Sequence, residues 1–331
     1  KKIMAKKDLL TERIVYKPFE YPEAYDYWLK QNQAHWIHTE VPMMSDVNDW
    51  KQNLTKTEKN IIGSILKGFA QTETVVNDYW TGLVTKWFRK PEIIAMATTF
   101  GAMETIHAEA YSLLNEELGL DDFSEFMEDE ATMAKIETLM DVRDSFNGEV
   151  DWHERAKSLA IFSAFTEGVN LFSSFAVLLS FKMRNKLKGV GQIVEWSIRD
   201  ESMHSDAGCW LFRTLLLEHP ELKTPELEAA INEAALLSLK LEIDFIEKVY
   251  EFGDLEGCNK DDLIHFIKNR VNTKLGDLGY SPIIDNIDVA AVGRMKWFDH
   301  LSAGKQHTDF FASRVTNYSK GTMEWDAASI F

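Results

Sequence analysis

Two short stretches constrain this chain more than any others. They are ETIH at 104–107 and ESMH at 201–204, the only places where a glutamate stands three residues before a histidine. On a helix, residues at that spacing share a face one turn apart. Around the first pair, Phe100, Glu104, His107, Tyr111 and Leu114 recur at intervals of three and four. One helical face therefore carries a carboxylate, an imidazole and a phenol between apolar neighbours. Upstream of each pair lies a further glutamate in an apolar setting. Glu73 falls in the stripe marked by Ile62, Ile65, Leu66, Phe69, Val76 and Trp80. Glu167 interrupts AIFSAFTEGVNLFSSFAVLLSF, a segment so apolar that a helix there is buried nearly all round. An isolated ionised carboxylate is too costly to keep in such a place, so it must be neutral, paired or bound to metal. Four buried carboxylates facing two imidazoles point to metal.

A glutamate on each of two helices and Glu-x-x-His on each of two others is the ligand pattern of ferritin-like di-metal bundles. The fold class expected is all-α, a ferritin-like helical bundle with additional helices. Composition agrees, because seven prolines and seventeen glycines in 331 residues leave long uninterrupted helical periodicity. Residues 1–50 read as an aromatic-rich arm and a short helix, 51–310 as the di-metal helical domain, and 311–331 as a flexible tail. Thr55 with Glu58 forms a capping box ahead of the helix bearing Glu73. Pro91 suits the first turn of the helix bearing Glu104. The acidic stretch 115–153 reads as a helical excursion with a solvated face. One long helix is expected to carry Glu167, and Gly189 and Gly191 to break the chain before the helix of Glu201. Thr224-Pro225 caps a helix through Tyr250, and a shorter one covers 260–274. His35, His38 and the Asp262/His265 pair lack buried carboxylate partners and read as structural or surface residues.

A net charge of −17 argues against nucleic acid and against an anionic membrane surface as partners. Glu167 and Asn170 at the middle of the most apolar segment argue against a membrane span. Cys209 and Cys258 suit neither a disulfide framework nor a zinc site, so a reducing, cytoplasmic location is expected. No signal peptide is visible, and the opening KKIMAKKDLL, without a leading Met, leaves room for an upstream segment.

Two cations close together repel, so several anionic oxygens are needed to hold both. Mixed carboxylate and imidazole ligation suits redox-active iron or manganese better than zinc, whose structural sites favour thiolate. The residues alone lead as far as a redox-active di-metal oxidant. A radical generator, an oxygenase, a desaturase and an iron store all remain open on that ground.

The spacing resembles that of the small, radical-generating subunit of class I ribonucleotide reductase, over most of the chain. ETIHAEAY resembles the family's ligand-plus-tyrosine helix, and IRDESMH its second ligand helix. The resemblance implies metal ligation by Glu73, Glu104, His107, Glu167, Glu201 and His204. It implies that Tyr111 stands where the better-known subclasses hold a tyrosyl radical. Asp200 matches the aspartate that hydrogen-bonds a ligand histidine, here His107, and links it to the tryptophan matched by Trp36. Tyr318 resembles the mobile tyrosine that relays the radical to the large subunit, and the end at Ile330-Phe331 the segment that docks there. A homodimer working with a separate large (alpha) subunit in deoxyribonucleotide biosynthesis, and so in DNA replication, is implied.

Glu73 stands where the common di-iron members have Asp, and Ser197 joins Leu171 and Phe175 where bulky apolar residues usually wall the tyrosine. The Ser197 hydroxyl argues against long-lived radical storage on Tyr111. Glu73 together with the retained Tyr111 resembles the dimanganese subgroup (class Id), in which a Mn(III)/Mn(IV) centre is the oxidant and the tyrosine is not the radical. Two irons, or Mn/Fe, are the alternative centres. An R2-like oxidase or hydroxylase acting directly on an apolar substrate, and a ferritin-like metal-binding protein, are the alternative functions. Some family members carry an N-terminal nucleotide-binding cone, which this chain's start could have lost.

Overall fold

A computed structural model describes residues 7–120, 130–144 and 150–304. All the regular structure among them is helical. After an arm come α1 (Pro22–Gln33), α2 (Met44–Gln52), α3 (Lys56–Asp78) and α4 (Pro91–Glu117). Then follow α5 (Glu130–Asp144), α6 (Trp152–Ile161), α7 (Phe172–Met183), α8 (Lys188–Glu218), α9 (Pro225–Tyr250) and α10 (Lys260–Asp277). No described helix is long and apolar enough to cross a membrane.

Local signals set the helix starts. Thr55 Oγ1 accepts from Glu58 N at 3.1 Å while Glu58 Oε2 accepts from Thr55 N at 3.0 Å, so the expected box opens α3. Pro91 begins α4, and Thr224 caps α9. One apolar core runs through these helices and takes in Leu9, Tyr21 and Trp36 from the N-terminal segment. Each large side chain fully withdrawn from water there contributes about 1.5–3 kcal/mol. That core is the rigid frame against which the polar residues are held. Cys209 and Cys258 are both free and buried.

Two expectations need correction. Gly189 and Gly191 do not break the chain but lie in the first turn of α8. The break comes earlier, at Asn185 and Leu187, which adopt positive φ of 60° and 49°. The buried Asp46 carboxylate accepts from Gly189 N at 3.0 Å and Val190 N at 2.9 Å, satisfying donors that a helix start leaves orphaned. A Cβ at Gly189 would stand 2.7 Å from Asp46 Oδ2, so the glycine is there for close approach. Nor is the segment bearing Glu167 a single helix. After α6 the chain widens into a π-helical turn, Phe162–Thr166, and α7 starts only at Phe172. Glu167 N bonds Phe162 O at 3.0 Å and Asn170 N bonds Phe165 O at 2.9 Å, both five residues back. A second widened turn, Tyr79–Val84, follows α3 and carries Trp80. Such turns re-aim side chains that a regular helix would point elsewhere.

Candidate metal centre

Four elements meet at one buried point. Glu73 comes from α3, Glu104 and His107 from α4, Glu167 from the end of the widened turn, and Glu201 and His204 from α8. All six are buried. Ser205 Oγ donates to Ser163 O at 2.7 Å, and a Cβ on Gly208 would fall 2.1 Å from Ser163 Oγ, so α8 lies tight against the turn that presents Glu167.

The six fall into two overlapping sets. Glu73, Glu104, His107 and Glu201 form one, and Glu104, Glu167, Glu201 and His204 the other, with the ligating atoms of each within 4.8 Å of one another. Glu104 and Glu201 belong to both. Glu104 Oε2 lies 3.1 Å from His107 Nδ1, and its Oε1 lies 2.7 Å from His204 Nδ1. Glu201 Oε1 is 3.1 Å from His107 Nδ1. Each histidine thus turns Nδ1 inward, and each is held from outside through Nε2. His107 Nε2 is 2.9 Å from Asp200 Oδ2, and His204 Nε2 is 2.7 Å from Gln31 Oε1. An outer partner of this kind fixes tautomer and ring orientation, leaving Nδ1 free to ligate.

Buried atoms without partners test whether the site fits metal. Both oxygens of Glu73, Oε1 of Glu104, Oε2 of Glu167 and Nδ1 of His204 lack a hydrogen-bond partner. Buried polar atoms left unpaired cost about 1–3 kcal/mol each, more for charged groups. His204 Nδ1 and Glu104 Oε1 are close yet not aligned for a hydrogen bond, so both aim at a shared point rather than at each other. Two divalent cations would balance four carboxylates and supply the missing partners. The residues fit a dinuclear metal centre.

Protonation tells the same story. Burial, then the Glu104 charge, pushes Glu73 well above the usual carboxylate range, and burial with the Glu201 charge does so for Glu167. Burial is the first cause for Glu104, raised to about 7, and for Glu201, raised to about 8. Burial would lower His107, but the facing Glu104 charge and the hydrogen bond to Asp200 outweigh it and raise the imidazole. Burial lowers His204 to about 4. Without cations, protons stand in for metal charge.

A stability slope follows. A carboxylate that keeps its proton in the fold, but loses it near the ordinary value of 4.5 when unfolded, makes stability fall as pH rises between the two values. The raised His107 acts in the same direction. His204 acts in the opposite one, but its contribution is complete by the ordinary imidazole value of 6.5. Between pH 6.5 and 8 the metal-free protein should therefore lose stability, on the order of a few kcal/mol. Thermal unfolding with chelator should show a falling Tm across that interval, and saturating divalent metal should flatten it. A flat profile in chelator would mean that the carboxylates do not crowd as described.

The remaining sequence candidates divide. Trp36 Nε1 donates to Asp200 Oδ2 at 2.7 Å, so Asp200 joins Trp36 to His107. Burial would raise Asp200, but the His107 hydrogen bond and Arg199 charge prevail and hold it at about 2. Tyr111 OH donates to Ser197 Oγ at 2.7 Å, and Ser197 Oγ donates to Ile193 O at 2.9 Å. Its ring packs 4.4 Å from Phe69. Tyr318 and the 311–331 tail lie outside the described residues.

Two residues escaped the sequence reading. Gln31 accepts from His204 and donates through Nε2 to Asp200 Oδ1 at 3.1 Å, coupling the outer sides of both histidines. Nothing in its local sequence marks it, because its partners come from α8. Trp80 reads as core from its stripe, yet its Nε1 donates to Glu167 Oε1 at 2.5 Å.

Comparison with known proteins places this geometry. The family model described as "Ribonucleotide reductase, small chain" matches residues 13–288. A probable ribonucleoside-diphosphate reductase small subunit of Invertebrate iridescent virus 3 is 33% identical over 335 residues, covering 96% of this chain and 87% of the viral one. A solved putative class I ribonucleotide reductase from Bacillus halodurans superposes with a TM-score of 0.78 at 22% identity, covering 85% of this chain and 99% of that one. The dimanganese(II)-NrdF of Streptococcus sanguinis superposes with a TM-score of 0.73 at 21% identity, covering 86% and 99%. At those identities the solved structures speak for the fold alone, a ribonucleotide-reductase-type helical bundle.

Proposed function

The chain belongs to the ribonucleotide reductase small-chain family, and from that premise we propose that it serves a class I ribonucleoside-diphosphate reductase as its oxidant-generating subunit. One observation carries the reading. Two ligand sets share Glu104 and Glu201, and one set is joined through His107 and Asp200 to the indole of Trp36. A metal store needs no such connection, and an oxidase acting on a substrate at the metals needs no route away from them.

Glu73, Glu104, His107, Glu167, Glu201 and His204 would hold the two ions, which when bound supply a one-electron oxidant. The protein's part is to hold that oxidant dry and conduct it. Asp200 keeps His107 and Trp36 in fixed orientation and, being anionic, stabilises positive charge on the indole when an electron leaves it. Tyr318 and the 311–331 tail would relay the oxidant to, and dock, the large subunit, where ribonucleotides are reduced to deoxyribonucleotides. Two small chains would pair as a homodimer.

Manganese is the metal favoured. Glu73, one methylene longer than the Asp of di-iron members, supports it. So does Tyr111, whose hydroxyl is committed to Ser197 in place of an apolar wall. The test is to load the protein separately with manganese and iron, record electron paramagnetic resonance, and assay with a large subunit. Turnover is expected only with the large subunit, together with a coupled multiline manganese signal, and Tyr318→Phe should abolish turnover while leaving that signal. Activity that follows an iron-dependent tyrosyl signal would reverse the metal assignment.

A further inference from the structure

Five of the six ligands ride on regular α-helices, and Glu167 alone does not. From Glu167 to Leu171 the chain turns out of the helical path before α7 resumes. A ligand on such a segment takes its rigidity from whatever holds the turn. Two cationic side chains, from helices far off in sequence, bond its backbone. Arg270 Nε, on α10, donates to Gly168 O, and its guanidinium lies 3.3 Å from the centroid of the Phe172 ring. Lys135 Nζ, on α5, donates to Asn170 O at 2.8 Å. The same ammonium pairs with Glu242 Oε1 on α9 at 2.7 Å, and Glu242 Oε2 accepts from Ser173 Oγ at the start of α7. Lys135 is 5% exposed and Glu242 1%. Apolar residues of similar volume would stabilise this spot as well as a buried ion pair does, so stability alone does not account for it. What the pair adds is direction, a donor aimed at one backbone carbonyl. A Cβ on Gly168 would fall 2.2 Å from Ala164 O and 2.8 Å from Lys274 Cδ, so α10 presses directly on the turn.

We infer that Lys135 and Arg270 are positioning residues, which clamp the turn at Asn170 O and Gly168 O and so fix the approach of Glu167 to the metal pair. Glu167 belongs only to the ligand set with His204. Trp80 Nε1 holds its Oε1, while its Oε2 has no hydrogen-bond partner and is free to ligate. The indole sets the direction of the carboxylate, and the two cations set the backbone from which it hangs. Loosening the clamp lets Glu167 retreat from one ion and spares the Glu73 side. The clamp itself stands on the geometry of the turn; only its effect on the ions rests on the di-metal reading above.

Two variants test it, one for each cation. Lys135→Met/Glu242→Leu removes the ion pair whole and leaves no buried charge unpaired, and Arg270→Leu removes the other donor. In metal-free protein, amide deuterium exchange across residues 162–172 should be about tenfold faster in each variant, with α3 and α4 at parental rates. In manganese titrations followed by electron paramagnetic resonance, the parent should bind two ions per chain. Each variant should bind one ion with parental affinity and the other about tenfold more weakly. Lys135→Arg, which keeps a donor and the pairing with Glu242, should match the parent in both readouts. Parental exchange in either variant overturns the clamp without reference to metal. Faster exchange with both ions held at parental affinity overturns it as well, since the turn would then not place Glu167. Equal weakening of both ions overturns it by showing a general loosening. A parent that binds fewer than two ions fails the proposed function instead, and the exchange rates then judge the clamp alone.

Discussion

Replacing Glu104 by Ala is expected to empty both metal positions, whereas replacing Glu73 empties one. Glu104 and Glu201 belong to both ligand sets; Glu73 belongs to the set with His107 alone, and Glu167 to the set with His204 alone. The two oxygens of Glu104 face different histidines, at 3.1 Å and 2.7 Å. Removing a shared carboxylate takes an anionic ligand from both ions and leaves their mutual repulsion less screened, so neither should survive desalting. Glu73→Ala leaves Glu104, Glu167, Glu201 and His204 intact around the second position. Metal analysis after gel filtration should give both ions lost in the first variant and one retained in the second. Reductase activity with the large subunit should fall by about three orders of magnitude or more in each, because the chemistry needs the pair. Glu104→Gln keeps the volume and removes only charge and ligating strength, and should behave as Glu104→Ala does. If Glu104→Gln retains both ions, the shared-ligand geometry is wrong.

The convergence of the six side chains was legible because its signals are local or nearly so. Glu104 with His107, and Glu201 with His204, are each set by a single helical turn. Glu73 and Glu167 announce themselves as carboxylates in stripes where nothing polar belongs. The shape of the backbone around Glu167 was not legible. A regular helix and a widened turn have the same apolar composition, and only the hydrogen bonds five residues back distinguish them. The start of α8 was misread because glycine marks both chain breaks and close approaches. At Gly189 the reason is the Asp46 carboxylate, from a helix more than a hundred residues earlier. Gln31 and Trp80 were illegible as site residues for a related reason. A buried amide or indole looks like any other until the fold brings its partner, and those partners are His204 and Glu167.

Asp200→Asn should separate conduction from metal binding. The Asp200 carboxylate accepts from Trp36 Nε1 at 2.7 Å and Gln31 Nε2 at 3.1 Å, and faces His107 Nε2 at 2.9 Å. Held at about 2, it is anionic at any working pH. An asparagine keeps the shape but offers one acceptor oxygen, and turns its NH2 toward N–H groups that have nothing to accept with. Whichever way the amide lies, Trp36 and His107 or Gln31 lose a partner, and the charge that favours an oxidised indole is gone. Losing the outer partner of a ligand histidine costs about 10–100-fold in metal affinity. At saturating metal the six ligands themselves are untouched, so both ions should still load and give a coupled signal. Turnover with the large subunit should nevertheless drop by about ten- to a hundredfold, since a hydrogen bond to a charged group is worth about 1.5–3 kcal/mol. Parental turnover in a fully loaded Asp200→Asn protein would remove Asp200, and with it the Trp36 connection, from the route by which the oxidant leaves.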